Sequence, residues 1–377
     1  MRILRIIYDW PPPWDGLAPA PFAFTKAQSA LGNEIHVICG GGSLLFKKRE
    51  AASLPGVKVT RLPRTLPLVG PFFTTAVLVP FAYFYQKLTW KPEVIHGHGH
   101  VNLWLNVYKY FFGWLDKTPY VLHFHNTAAG RELNTHKSVP FFTRYVEWPL
   151  HKLSDWLGTR VADKLVFVSS ETAEEAKNLY GADPAKVIVL ENGVDCELFN
   201  PSGQKTAVFP SGKTLLYQGS LKSRKRVDVL IKSLALLPSN INLALIGPDT
   251  EPNLHQIVVD LKLEKRVKFL GYLQNSETPQ YFRSSTLFVI PSSYEGFPKV
   301  VLESLACGLP VLASGFKVEP PVGGMSIKEF SDEVALAASI GETLMNLPAV
   351  DVTAIKTRFD WSVLAARLQV IYESMAH

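Results

Sequence analysis

Two carboxylates, Glu295 and Glu303, stand in the otherwise apolar stretch PSSYEGFPKVVLESLACGLPVLAS (residues 291–314), with seven residues between them. A charge among Val300, Val301, Leu302, Leu305 and Ala306 risks burial without water, which is unfavourable unless a partner compensates it. The flanks define a short helix between two strands: Pro298 suits a first helical position, Gly308 the residue past the end, and Pro310 the stop. Glu295 then lies in the loop entering the helix, and Glu303 projects from its body one turn beyond Lys299. An anion arriving there would meet free N–H groups of Lys299, Val300 and Val301 and the positive end of a helix dipole. Phosphate is such an anion. Carboxylates beside a phosphate site cannot grip the phosphate, so they are placed to accept hydrogen bonds from hydroxyls, which sugars and ribose carry.

The elements that must position these groups read as α/β. Short apolar runs such as RILRIIYD, EIHVICGG, EVIHGHG, PYVLHFHN and KLVFVSS alternate with helical stretches, and a second series follows with TLLYQGS, NLALIGP, VKFLGY and LFVIPSS. Each ends in Gly, Ser, Asn, His or Pro, as buried parallel strands do where loops at their carboxyl ends bind ligands. A chain of 377 residues with 47% hydrophobic residues exceeds the size of a single ordinary core, so two domains are expected. The Gly-, Pro- and Ser-rich segment ENGVDCELFNPSGQKTAVFPSGKT is the linker, with the boundary near residues 196–212. The expected domains are 1–196, 197–360 and a C-terminal helix over 361–377 that the pattern assigns to neither, a return to the first domain being open.

Cys39, Cys196 and Cys307 lie far apart, which excludes a disulfide framework and a CxxC metal site and fits a reducing compartment. The opening MRILRIIYDW is broken by Asp9 and reads as a first strand, not an export signal. The net charge of +6 is uneven: residues 1–160 hold 18 Lys and Arg against 9 Asp and Glu, and the remainder 21 against 24. No nucleic-acid module accompanies that charge. Residues 68–86, LVGPFFTTAVLVPFAYFYQ, carry none over nearly the length of a membrane helix. Pro71, Pro80 and the position between strand runs favour a connecting helix with an unusually apolar outer face. Beyond it, VNLWLNVYKYFFGWLDK and FFTRYVEWPLHKLSDW mix Phe, Tyr and Trp with Lys and Arg. Segments on a membrane surface look like this; aromatics filling a core or the space between helices are the alternative.

Four blocks, in order and suitably spaced, carry a family resemblance: VADKLVFVSSETAEEAKNLYG, ENGVDCELFNP, LEKRVKFLGYL and YEGFPKVVLESLACGLPVLAS. The chain resembles glycosyltransferase family 4, retaining nucleotide-sugar enzymes of the GT-B fold, over nearly its whole length. That implies two Rossmann-like domains with parallel sheets facing a central cleft, the first binding acceptor and the second the nucleotide sugar. It implies that Glu295 contacts hydroxyls of the donor sugar, Glu303 the ribose, and Lys225 the diphosphate, where a cation would offset the charge developing on the leaving group. The family segment near GRLxxxKG reads GSLKSRKR here, so Ser220 replaces an arginine and Arg226 a glycine; Lys222, Arg224 and Arg226 are the candidate substitutes. The GGxxE-like loop of relatives is replaced by SGFKVEPPVGGMSIKEF, where Gly315, Phe316 and Lys317 take over part of its role. Tyr272 falls where relatives meet the nucleobase edge, or serves packing.

By the same resemblance His125 meets the donor sugar, His98 belongs to the neighbouring HxH motif, and Gly16 keeps one glycine of the loop after the first strand. The His96, His98, His100 run raises a metal reading. Against it, alternate residues of a strand end are expected to point to opposite sides, no acidic partner is evident, and no Asp-x-Asp occurs, so the expectation is no metal and no cofactor beyond the donor. The expected enzyme is a retaining hexosyltransferase in the cytoplasm, at the inner face of the membrane, acting on a lipid-linked or cell-surface glycan precursor. An epimerase or phosphorylase of the same fold and a non-catalytic nucleotide- or glycan-binding relative are the competing readings. A dehydrogenase is the least favoured reading, because no GxGxxG follows any strand run.

Overall fold

The structure is a computed structural model that describes residues 1–12, 19–43, 51–65, 71–133, 141–221, 225–248, 251, 253–295 and 297–375. The chain forms two compact units, Met1–Glu191 with Trp361–His377, and Asn192–Asp360.

In the first unit seven strands form one sheet in the order β3-β2-β1-β4-β5-β6-β7, parallel throughout. They are β1 (Arg2–Ile7), β2 (Glu34–Ser43), β3 (Val57–Thr65), β4 (Val94–His98), β5 (Tyr120–Phe124), β6 (Lys164–Phe167) and β7 (Val187–Val189). Alternation along β1 feeds two layers. Leu4 and Ile6 pack with Val79, Tyr83 and Leu105, beneath α2 (Pro71–Thr89) and α3 (Leu103–Phe112). Ile3 and Ile7 pack with Phe24, Leu364 and Leu368, beneath α1 (Pro19–Ala30) and the last helix, α13 (Trp361–Glu373). Two further helices matter below, α4 (Ala128–Leu133) and α5 (Trp148–Val161), the latter packed on α3. Between them the sequence signals act locally. In α6 (Ser170–Tyr180) the Ser169 hydroxyl accepts from the Thr172 amide at the start, and Gly181, at φ +64°, ends the helix, as capping chemistry requires.

The second unit repeats the plan with six parallel strands in the order β10-β9-β8-β11-β12-β13. These are β8 (Lys213–Gln218), β9 (Ile241–Ile246), β10 (Val267–Gly271), β11 (Leu287–Ile290), β12 (Val311–Ala313) and β13 (Met325–Ile327). Their helices are α7 (Val227–Ala235), α8 (Asn253–Asp260), α9 (Pro279–Phe282), α10 (Lys299–Ala306), α11 (Glu333–Met345) and α12 (Val352–Phe359). In both sheets the order reverses at the first strand of the series, β1 or β8, the arrangement that leaves a ligand crevice at the carboxyl ends. The stretch read as a linker is packed: Phe199 lies 6.0 Å from the Phe282 ring, and the Val194 amide donates to the Phe359 carbonyl. Of the uncharged run, residues 71–86 lie in α2, and among the described residues no helix is long and apolar enough to cross a membrane.

Because α13 completes the core of the first unit, Leu368→Ala should cost about 2–5 kcal/mol. All eight tryptophans lie in that unit, so urea unfolding followed by tryptophan fluorescence reads the loss. An unchanged midpoint would detach α13 from this core.

Candidate active site

Three adjacent strands of the second unit, β8, β11 and β12, send their carboxyl-terminal loops to the same edge. Pro298, at φ −72° and ψ 121°, is the extended N-cap of α10, and Lys299 is its first helical residue. The helix therefore begins one residue later than the proline alone indicates. The Val301 amide donates to the Pro298 carbonyl at 3.1 Å, so two amides remain free and not three: among the described residues, those of Lys299 and Val300 carry no hydrogen bond. At the far end Gly308, at φ +78°, reverses the chain, and the Leu309 amide donates to the Ser304 carbonyl.

Glu303 is only 7% exposed. Among the described residues its carboxylate has no hydrogen bond and no ion-pair contact. Burial pushes its pKa above the usual carboxylate range, and the Lys299 charge one turn away opposes that. The half-buried Lys299 ammonium is shifted down by the same desolvation, with Glu303 opposing. Glu295 is ion-paired with Lys225 from the loop after β8, both side chains largely buried. Its amide donates to the Gly315 carbonyl at 2.6 Å, and Ser314 Oγ donates to the Ser292 carbonyl at 2.9 Å. Gly315 is at φ +83°, and a Cβ there would stand 2.5 Å from the Ser292 oxygen. Only glycine lets the loops after β11 and β12 close on each other.

The remaining candidates separate. Arg226, in a left-handed backbone conformation, donates from its guanidinium to the carbonyls of Phe330 at 2.6 Å and Ser331 at 2.9 Å; it fastens the loop before α11 and does not stand in for the family arginine. The Phe316 ring is a core ring 5.8 Å from Phe297, and Val300 packs its side chain on the same core, so neither presents a side chain to a ligand. Ser220 accepts at its carbonyl from the Tyr217 hydroxyl at 3.0 Å. Tyr272, 59% exposed after β10, is not a packing aromatic. Gly16, Lys222 and Arg224 lie outside the described residues.

In the first unit the histidines overturn the expectation that alternate strand residues diverge. Residues two apart share a face, and the register pairs His98 with His123. The result is a column of imidazoles: His96 and His98 stack at 4.3 Å, His123 and His125 at 4.7 Å, and His98 Nδ1 lies 3.1 Å from His125 Nε2. His100 leaves the column and meets Asp155 at 2.9 Å, an acidic partner that the motif did not disclose. The Tyr372 hydroxyl of α13 stands 2.5 Å from His96 Nδ1, with the buried Arg5 guanidinium at 3.4 Å. Nitrogens of His96, His98 and His123 come within 4.8 Å of one another. The Arg5 charge beside them works against a metal cation.

Two family models match the chain: "Glycosyltransferase Family 4" over residues 16–198 and "Glycosyl transferases group 1" over residues 202–322. The chain belongs to the family 4 glycosyltransferases of GT-B type. A D-inositol 3-phosphate glycosyltransferase of Thermobispora bispora is 28% identical over 359 residues, covering 87% of this chain and 77% of that one. Against other relatives of that name the match spans 52–57% of their length. In structure, sucrose-phosphate synthase from Thermosynechococcus elongatus superposes with a TM-score of 0.78 at 19% identity, covering 100% of this chain and 99% of that one. Anabaena HepE in complex with UDP superposes with a TM-score of 0.72 at 18% identity, covering 99% and 100%. These likenesses show the fold.

What sequence reading missed in this glycosyltransferase are polar groups with no charge to advertise them. Gln218 Oε1 at the end of β8 and Ser292 Oγ after β11 are buried and unpartnered among the described residues. A charged group was missed as well: Arg5, inside an apolar strand, donates to the Pro21 carbonyl, Thr25 and Gln28 of α1.

Desolvation holds His96, His98 and His123 well below their ordinary pKa, with neighbouring cations adding to it. Below about pH 6.5 the unfolded chain takes up protons that the native column refuses, so stability falls as pH drops, by about 1.4 kcal/mol per unit for each histidine. Thermal unfolding followed by tryptophan fluorescence should show a midpoint that declines from about pH 7 to pH 5, less steeply in His123→Phe. Identical slopes in the two proteins would contradict the neutral column.

Proposed function

We propose that this glycosyltransferase moves a hexose from a nucleoside diphosphate sugar to an acceptor hydroxyl with retention and without a metal ion. The observation that carries the reading is the buried Glu303 carboxylate, unpartnered among the described residues, on the same first turns of α10 as the free amides of Lys299 and Val300. A ribose hydroxyl supplies the hydrogen bond that the carboxylate lacks, and a diphosphate supplies an acceptor for the amides. HepE, one of the structural neighbours, is bound to UDP, a ligand with both groups. Lys225 exchanges Glu295 for the diphosphate as the donor enters, and there it offsets the charge that builds on the leaving phosphate. The released Glu295 carboxylate accepts from hydroxyls of the transferred sugar. The leaving phosphate takes the acceptor proton, so no separate protein base is required.

The acceptor in this reading is a lipid-linked or cell-surface glycan precursor, presented to a cytoplasmic enzyme at the inner face of the membrane. The aromatic and basic helices of the first unit support it. The relatives named for inositol 3-phosphate favour a second acceptor class, a soluble phosphorylated polyol.

Steady-state kinetics with the sugar nucleotide tests the assignment. Glu303→Gln should raise the donor KM by about tenfold or more, the value of a hydrogen bond to a charged group. Glu295→Ala should lower kcat with less effect on KM, and EDTA should change neither. Wild-type constants in both variants would refute the roles given to the pair.

A further inference from the structure

A helix on the surface of a sheet is expected to be apolar toward the core and polar outward, and α2 is not. Its inner positions Ala76, Val79 and Tyr83 are fully buried on the sheet. Its opposite face carries Val77, Phe81, Tyr85 and Leu88, spaced as one helical stripe, with Phe81 69% and Leu88 79% exposed. The neighbouring α3 continues the surface through Phe111 and Phe112 to Trp114 and Leu115 just past its end, all exposed. On the other side of α3, Tyr145, Leu153 and Trp156 extend it along α5 and the π-helical turn Thr143–Glu147 that precedes it. Since α3 packs on both α2 and α5, the three stripes lie side by side on one layer.

The exposed charge in this layer is mostly positive. Neither α2 nor α3 contains an acidic residue, and the one acid of α5, Asp155, is buried against His100 and the Ala128 amide. Lys117 and Arg144 are exposed at its margins, and Arg160 lies over the Trp156 ring at 4.5 Å. Glu132, near it, is paired with Lys152. Tryptophan and tyrosine rings with cations beside them, and a single half-exposed acid, Glu147, in the turn before α5, match the boundary of an anionic bilayer, where rings sit at headgroup depth and cations meet lipid phosphate. We infer that the outer faces of α2, α3 and α5 form an interfacial docking surface for an anionic lipid bilayer, on which the first unit lies without spanning it. The inference deepens the proposed function, resting on its lipid-linked acceptor for its purpose, but the binding it describes needs neither donor nor acceptor.

Sedimentation of the full chain with vesicles tests it, using phosphatidylcholine alone and an equal mixture with phosphatidylglycerol. The intact protein should sediment with the mixed vesicles, less so at high salt, and weakly with phosphatidylcholine. The variant Phe81→Ser/Leu88→Ser/Trp114→Ser, altered at exposed positions only, should lose about tenfold or more in partitioning while keeping the thermal shift given by a nucleoside diphosphate. No sedimentation of the wild type, or equal sedimentation of the variant, would overturn the inference. So would a wild-type dimer that the variant converts to monomer, since the face would then be covered by a second copy. A missing nucleotide shift in both proteins would count against the donor reading and leave the vesicle result to stand by itself.

Discussion

A carboxylate enclosed in an apolar helix is unfavourable unless something hydrogen-bonds it, and Glu303 sets that constraint for the second unit. The helix that holds it is eight residues long, fixed by Pro298 at one end and Gly308 at the other, and its inner side is packed into the core through Val301, Leu302 and Leu305. Lys299 offsets part of the charge but is itself desolvated. In the proposed reading, this helix meets a neutral hydrogen-bond donor at Glu303 and an anion at the amides of Lys299 and Val300. Gly315 and the Lys225–Glu295 pair close the loops around it.

The first unit shows a related economy of position. Parallel register brings strand-end residues of β4 and β5 level, so that imidazoles separated by many residues in sequence become one stacked column. Burial and the Arg5 guanidinium keep His96, His98 and His123 uncharged, which suits groups that are to donate or accept hydrogen bonds without titrating near neutrality. The same sheet carries on its other side a helix, α2, with exposed apolar residues on its outer face as well as buried ones on its inner face.

Much of this was legible in the residues. Two series of strand-like runs, each closing on Gly, Ser, Asn or His, correspond to the two parallel sheets, and the spacing of Glu295, Lys299 and Glu303 around Pro298 placed all three on one loop and helix. The apolar run at 68–86 read as a connecting helix with an unusual outer face. What remained hidden depends on contacts distant in sequence. Nothing local reveals that Arg226 reaches Phe330 and Ser331, that Phe316 turns into the core, or that Asp155 lies beside His100. The histidine run was misjudged for a simpler reason: the two-residue period of a strand places His96 and His98 together, and the neighbouring strand adds His123. Charge count also gave no warning of Arg5, whose partners are a carbonyl, a hydroxyl and an amide of α1.

The central claim is that Glu303 awaits a ribose hydroxyl. Calorimetric titration of the intact protein with UDP, GDP and ADP, followed by the 2′,3′-dideoxy form of whichever binds, tests it most directly. The dideoxy nucleotide should bind weaker by roughly tenfold to a hundredfold, because it leaves the buried carboxylate unpaired. Equal affinity for the two forms would mean that Glu303 does not meet the ribose, and the account of the site would fail.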